Sequence, residues 1–572
     1  MSIDIETYRL KAQEAIEYVF VKEYHNSLGI PMPIVKMLLP DDANYSTGQY
    51  YITIDKTWQI HLNFGKLPIS YHEFQNEVKV LTRHEIEHYM CCPFDVITHF
   101  RMLKRIRDVY YKHFSHLGIN IEYACGAISN QAADIIVDTK NYYRHSKETL
   151  KSEIDWIKIG ANISACPRHC KLMFLTKEAI WKEDLGINET DPEFLKIVHQ
   201  LADSFTKNGI EDKSSFLDKV EEYAEIFFKL YVEDQKNPQQ SSQQGSQQQN
   251  GQQGSQQQSG QQGSQQQSGH WGVGRPKDGD EHGNAFVFAD PDKVKEAIEV
   301  LAEETSVEEF IDLLAIAGII GMSDKQKGVL WFNVQSANII PIVEFSNTGN
   351  KSSYTYPSVW RIGDPIEELD LMLTYMTSPR LIPGMTTKKW GYVSNDDNGT
   401  ESKQMDLLLV VDTSGSMGSA MKESANMHQA VLASYGILSY FESTKSKVAF
   451  IGFSDKIDAY VDWSDKYDDV RERLLTNGHG GTKFPISRIK STLDVRSRDL
   501  VTVLITNGDL GNINESVSYF RDYLNDDNKL YIFLLGGSKS LHSYEPLKNI
   551  GAKIYNANNA NEFCDMVLTD ME

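Results

Sequence analysis

A chain of 572 residues, 41% of them hydrophobic and 10% aromatic, can bury real cores, so a wholly disordered protein is excluded and roughly three to four domains are expected from length. Its 57 basic and 79 acidic residues give a net charge of −22, the wrong field for a general nucleic-acid or anionic-membrane binder and a suitable one for divalent cations and basic partners. The sparse cysteines, Cys91, Cys92, Cys125, Cys166, Cys170 and Cys564, exclude a disulfide scaffold and fit a reducing compartment.

The N-terminus lacks the basic start and apolar run of a signal peptide, and the longest apolar stretch, Leu313 to Met322, falls far short of the ~20 residues that span a bilayer. A cytoplasmic protein without membrane attachment is therefore expected. Alternation predicts strands at 51–54 and 58–64 around an Asp55-Lys56 turn, and the period then becomes helical from Tyr71 to about Met90. Further helices are predicted near 97–113, 122–145 and 215–232.

Inside the helix 71–90 lies His84-Glu85-Ile86-Glu87-His88, a match to H-E-x-x-H. Imidazoles four residues apart project from one helical face, so both can ligate one zinc ion, while Glu85 can take a proton from an attacking water. A zinc site of this kind needs a third protein ligand. On the next helix Asn130, Asp134 and Asp138 share a face at spacing four, with Ala133, Ile136 and Val137 behind it. Asp134 is the first choice for the oxygen ligand and Asp138 the second. Cys166-Pro167-Arg168-His169-Cys170 looks like half a zinc knuckle but no second pair follows it, so its thiols read as structural. His72, His113 and His116 read as surface side chains, and Arg144 and His145 as weaker candidates for stabilising an oxyanion.

A strand hairpin, an H-E-x-x-H helix and a helix bearing N-x-x-A-D together resemble the minimal zincin metallopeptidase core. More closely, they resemble the metallopeptidase-like domain that bacterial proteins fuse to a von Willebrand factor A-like (VWA) domain. The resemblance implies that the strand before the active helix binds substrate backbone in extended form, placing Ile60, His61, Leu62 and Asn63 at a substrate edge. The third ligand departs from the commoner Glu of the best-known relatives.

From Gln239 to Gly269 runs a Gln/Ser/Gly tract with three tandem nonapeptides starting at Gln243, Gln252 and Gln261. Such a composition cannot offset the entropy of ordering, which predicts a flexible tether whose ends lie roughly 30 Å apart and whose flanks move independently. Residues 284–402 open with a helical pair, 292–305 and 306–320, and continue irregularly. From Met405 strands and helices alternate. Strand cores are predicted at Leu407–Val411, Lys447–Phe453, Leu500–Ile505, Lys529–Leu535 and Lys553–Tyr555, with helices near 419–441, 467–475, 485–493, 513–525 and 560–570. This rhythm predicts a doubly wound parallel sheet with ligands at the carboxyl ends of its strands.

Directly after the first of these strands comes Asp412-Thr413-Ser414-Gly415-Ser416, which resembles the metal-ion-dependent adhesion site of VWA domains. The resemblance implies a hard divalent cation, Mg²⁺ or another, held by hydroxyl and carboxylate oxygens of Asp412, Ser414 and Ser416, with one position left for a partner's acidic group. It also assigns the next hydroxyl ligand to Thr482. Asn507 stands where the family usually has Asp, and Asp509 compensates if the loop turns it inward.

The expected architecture is thus multidomain α+β and α/β: a mostly helical zincin-like domain with a small sheet at 1–235, a disordered linker at 236–283, a helical adaptor region at 284–402 and a doubly wound, Rossmann-like VWA domain at 403–572. The expected function is zinc-dependent peptide hydrolysis by His84, His88, Asp134 and Glu85 on a peptide or protein substrate, with the VWA domain binding substrate or partner. The resemblance implies a MoxR-type AAA+ ATPase as that partner, and no Walker motif occurs in this chain, so the ATPase is a separate protein. The alternative is a non-catalytic VWA adaptor of such an ATPase that remodels client proteins, its zinc site structural or vestigial.

Overall fold

The computed structural model describes residues 4–25, 27–28, 32–38, 50–54, 59–64, 70–159, 163–236, 291–319, 322–337, 358–359, 388–389, 405–496, 499–508, 510–526, 528–536 and 541–557. The Gln/Ser/Gly tract, the Asp55-Lys56 turn, Asp509, Cys564 and the helix expected at 560–570 lie outside them. The protein is mixed α and β in two compact units, Met1–Glu304 with Glu309–Gly321, and Thr305–Glu308 with Met322–Glu572.

In the first unit, helix α1 (Ile5–Glu17) precedes strands β1 (Ile34–Met37), β2 (Tyr50–Ile54) and β3 (Gln59–Phe64). These form one sheet in the order β1-β3-β2, with β3 antiparallel to β2 and parallel to β1. Strand β1 was not predicted because four residues are too short to show a period, although Val35 and Met37 alternate inward while Ile34 and Lys36 point out. The sheet order corrects the expectation for Ile60, His61, Leu62 and Asn63. They lie on the central strand, whose backbone is paired on both sides, so they offer no free edge to a peptide. The outward edge of β1 is also partly covered, since the Val35 amide donates to Gln13 Oε1 at 3.1 Å.

Helix α2 spans Tyr71–Met90, as its periodicity predicted. It starts at Ser70, whose Oγ accepts from the Glu73 amide at 3.3 Å and donates to the Glu73 carboxylate at 2.7 Å, a reciprocal Ser-x-x-Glu cap. Its apolar face, Phe74, Val78 and Ile86, packs into a core with Tyr8, Ala12, Ile16, Val35, Met37 and Leu62. Helix α3 (Val96–Val109) follows, then the long α4 (Ile121–Ile159), which continues past the predicted end through a break in helical backbone at His145. Helix α5 (Arg168–Trp181) escaped prediction for a physical reason: His169 through Lys177 are all buried, so it has no polar face to create a period. Helices α6 (Pro192–Thr206), α7 (Phe216–Lys236) and α8 (Pro291–Glu304) complete the frame.

In the second unit six strands lie in the order β11-β10-β9-β6-β7-β8, where β6 is Asp406–Asp412, β7 Val448–Phe453, β8 Ile457–Ser464, β9 Leu500–Thr506, β10 Lys529–Leu535 and β11 Lys553–Ala557. A two-stranded pair, β4 (Ser358–Val359) with β5 (Lys388–Lys389), stands apart from them. Within the six-stranded sheet all pairings are parallel except β7 with β8. Strands β6, β7, β9 and β10 are almost continuously buried, as a sheet covered on both faces requires. The chain leaves β6 toward β7 on one side and returns to β9 on the other. The order of strand addition therefore reverses between the parallel neighbours β6 and β9, and their carboxyl ends flank the crevice where doubly wound sheets bind ligands. Among the described residues no helix is long and apolar enough to cross a membrane.

Candidate metal centre

Helix α2 carries His84 and His88 one turn apart, and α4 brings Asp134 against them. His84 Nδ1 lies 2.7 Å from Asp138 Oδ1, and His88 Nδ1 lies 2.8 Å from the Cys92 carbonyl oxygen. Carboxylates and carbonyls accept, so both Nδ1 atoms carry hydrogen and the two Nε2 atoms are the ring positions left for a metal. Those Nε2 atoms face each other at 3.0 Å. Asp134 Oδ1 stands 3.3 Å from His88 Nε2 and 3.6 Å from His84 Nε2, and it is buried with no hydrogen-bond partner. Three ligand-type atoms thus converge on one point, where a single cation can satisfy all of them. Ligand atoms at 2.0–2.1 Å from a tetrahedral zinc stand about 3.3 Å apart, and the three separations bracket that value. The donor set, two imidazoles and one carboxylate, fits zinc. The His88 side chain is 1% exposed but His84 21% and Asp134 13%, so the centre opens to solvent on one side.

The carboxylates around the site favour positive charge there, which a proton or a metal ion can supply. Burial disfavours charge on the His84 imidazole, yet Asp138, then Asp134 and Glu85, outweigh it and push His84 up to about 10. Glu85 is itself buried, Oε2 has no partner, and burial raises its carboxyl above the ordinary range although the two imidazoles pull it down. Asp134 Oδ2 accepts from Asn130 Nδ2 at 3.0 Å, which turns Oδ1 toward the histidines.

Of the two candidate carboxylates, Asp134 lies with the two Nε2 atoms and Asp138 sits behind His84 on Nδ1. Sequence reasoning did not find Lys177, whose Nζ donates to Asp138 Oδ2 at 2.5 Å and to Glu153 Oε1 at 3.0 Å. A buried lysine in a helix without a polar face leaves no pattern to read. Arg144 donates to Glu87 Oε1 at 2.7 Å, where Glu87 also meets Lys140 and the Tyr24 hydroxyl, so this guanidinium is engaged by a buried carboxylate. His72, His113 and His116 are exposed, and Cys91, Cys92, Cys125, Cys166 and Cys170 form no disulfide.

A second cluster sits at the carboxyl ends of β6 and β9. Asp412 Oδ1 accepts from the Ser414 amide at 2.9 Å and Oδ2 from the Thr506 hydroxyl at 2.6 Å. Ser414 Oγ is 3.1 Å from Ser416 Oγ, which donates to Asn507 Oδ1 at 3.1 Å, while Asn507 Nδ2 donates to the Ser416 carbonyl at 2.8 Å. Thr482 follows a loop fixed to this turn, because the Gly415 amide donates to the Gly480 carbonyl at 3.3 Å and the Gly481 amide to Asp455 at 2.9 Å. Gly480 has φ +113°, a conformation that strains other residues, and a Cβ there would displace the Asp455 carboxylate that accepts from the Gly481 amide. Asp412, Ser414, Ser416 and Asn507 are therefore neighbours, with Thr506 an addition that the sequence pattern had not singled out. Compared with known proteins, the chain matches no family model and no curated protein.

Proposed function

We propose that this protein is a zinc-dependent metallopeptidase of zincin type joined to a VWA domain. The observation that carries the reading is the convergence of His84 Nε2, His88 Nε2 and Asp134 Oδ1 beside the buried Glu85. His84, His88 and Asp134 hold the zinc ion. When bound, zinc supplies Lewis acidity that polarises a peptide carbonyl and lowers the pKa of water. Glu85 accepts the proton of the attacking water at its carboxylate and passes it to the amide nitrogen as the C–N bond breaks. Burial helps here, because a raised carboxyl holds that proton long enough to deliver it. Asp138 keeps the His84 ring oriented through Nδ1.

In the same reading the VWA domain holds Mg²⁺ or another divalent cation with Asp412, Ser414, Ser416, Thr482 and Asn507, and takes an acidic group of a substrate or partner at the remaining position. That partner is a MoxR-type AAA+ ATPase, and the protein works in the cytoplasm.

Metal content by mass spectrometry tests the centre: one zinc per chain in the wild type, lost in His84→Ala. Glu85→Gln tests the chemistry, with zinc retained and peptide hydrolysis reduced by at least a hundredfold. Zinc retention with partner-dependent remodelling of a client unchanged in Glu85→Gln would favour the non-catalytic adaptor instead.

A further inference from the structure

Asp134 and Asp138 lie one turn apart on α4 and both approach His84, so something must decide which carboxylate serves the metal. The hydrogen bonds differ sharply. Both oxygens of Asp138 are engaged, Oδ1 by His84 Nδ1 at 2.7 Å and Oδ2 by Lys177 Nζ at 2.5 Å. Asp134 has Oδ2 engaged by Asn130, and Oδ1 has no partner. Lys177 is 2% exposed and is held in turn by Glu153 at 3.0 Å, a residue on the other side of the His145 break in the same helix. Burial alone would drive off the Lys177 proton, but the charges of Asp138, Glu153 and Asp134 hold its pKa above the usual lysine range, so it stays a cation.

We infer that Lys177, anchored by Glu153, is the positioning residue that gives the two carboxylates of α4 their separate roles, fixing Asp138 as acceptor for His84 and leaving Asp134 as the metal's oxygen ligand. The inference rests on the metal-centre reading above. Its physical basis is that an ammonium on Oδ2 competes with any metal for Asp138. Without that ammonium, Asp138 is a second anionic oxygen donor one turn from Asp134, free to leave His84 and enter the coordination sphere. Three consequences follow together: a loosened His84 ring, an added oxygen ligand and a changed geometry at the ion.

The test uses the full chain, with cobalt(II) and zinc as probes. Lys177→Met combined with Glu153→Gln removes both buried charges at once, so that no unpaired carboxylate is left at position 153. Zinc affinity, measured by chelator competition, is expected to fall tenfold or more. The visible bands of the cobalt(II) form are expected to lose intensity as the coordination number rises, a signature that a purely structural lysine would not move. Affinity within twofold of wild type together with a superimposable cobalt spectrum, in a variant with wild-type circular dichroism, overturns the inference. If the double variant does not fold, Lys177→Gln removes the charge while keeping a neutral donor on a side chain one bond shorter, and the same two readouts decide. Wild-type protein that binds neither zinc nor cobalt stoichiometrically defeats the metal-centre reading itself, whereas normal wild-type binding with unchanged variants defeats only the role of Lys177.

Discussion

At the scale of single residues, what matters is where each polar atom finds its partner. His84 and His88 each place one ring nitrogen on an acceptor, Asp138 and the Cys92 carbonyl, and that choice of partner aims the other nitrogen at the shared point. In the second unit the same accounting leaves the hydroxyls of Ser414 and Ser416 side by side at 3.1 Å, next to an Asp412 whose two oxygens are oriented by the Ser414 amide and Thr506. Asn507 brings no negative charge to any cation held there, so binding depends heavily on Asp412 and the two serines. Ser414→Ala with Ser416→Ala is expected to abolish the heat of Mg²⁺ binding in a calorimetric titration of the full chain; an unchanged isotherm would remove this cluster from consideration as a cation site.

At the scale of elements, helix α2 is placed by its cap at Ser70 and by Phe74, whose ring meets Tyr8 edge-on at 5.0 Å in the core. Phe74→Ala empties a fully buried position ten residues before His84 and is expected to cost about 3–5 kcal/mol in urea unfolding of the first unit. A loss below about 1 kcal/mol would mean that α1 does not brace α2. In the second unit, helix α9 (Asp324–Ala337) presents Trp331 and Phe332 to His428 of helix α10 (Asn426–Ser443), at ring separations of 5.4 and 5.2 Å. Burial holds the His428 imidazole below its ordinary pKa, against the opposing pull of its bond to the Ala420 carbonyl and of Glu423. The folded state therefore binds fewer protons than the unfolded chain below about pH 6.5. Stability from this contact is complete above that pH and falls as pH drops from there toward the depressed folded value. Denaturant midpoints measured from pH 7.5 to 5 are expected to decline in the wild type and to decline less in His428→Leu; equal slopes would discharge His428 from that role.

At the scale of the whole molecule, two compact units on one chain predict two cooperative transitions in scanning calorimetry. Ligands that bind only the folded state raise the transition of the unit that holds them, by about 2.7 kcal/mol at a hundredfold excess over Kd. Zinc is expected to move one transition and Mg²⁺ the other. A single transition shifted by both ions would show that the units unfold as one. The acidic surplus of the whole chain favours cation uptake at either place but selects neither.

Local pattern was enough to determine much of this protein. The period of α2, the alternation of β2 and β3, and the buried runs of β6, β7, β9 and β10 are properties of neighbouring residues, so they could be read before any contact was known. The same holds for the H-E-x-x-H spacing and for the Asp-x-Ser-x-Ser turn at a strand's end, since one element presents all the atoms concerned. What only the tertiary structure decided involves elements distant in the chain. The pairing of β1 with β3 makes Ile60–Asn63 a central strand instead of an edge, and no local signal encodes a neighbour some 25 residues upstream. Asp134 and Asp138 share one helix face by spacing, and their partners separate them: Asn130 on Asp134, and His84 Nδ1 with a buried Lys177 from α5 on Asp138. Hydrophobic period records which face of an element is buried, but it does not record what that face meets, and in this protein the division of labour between the two carboxylates is settled by that meeting.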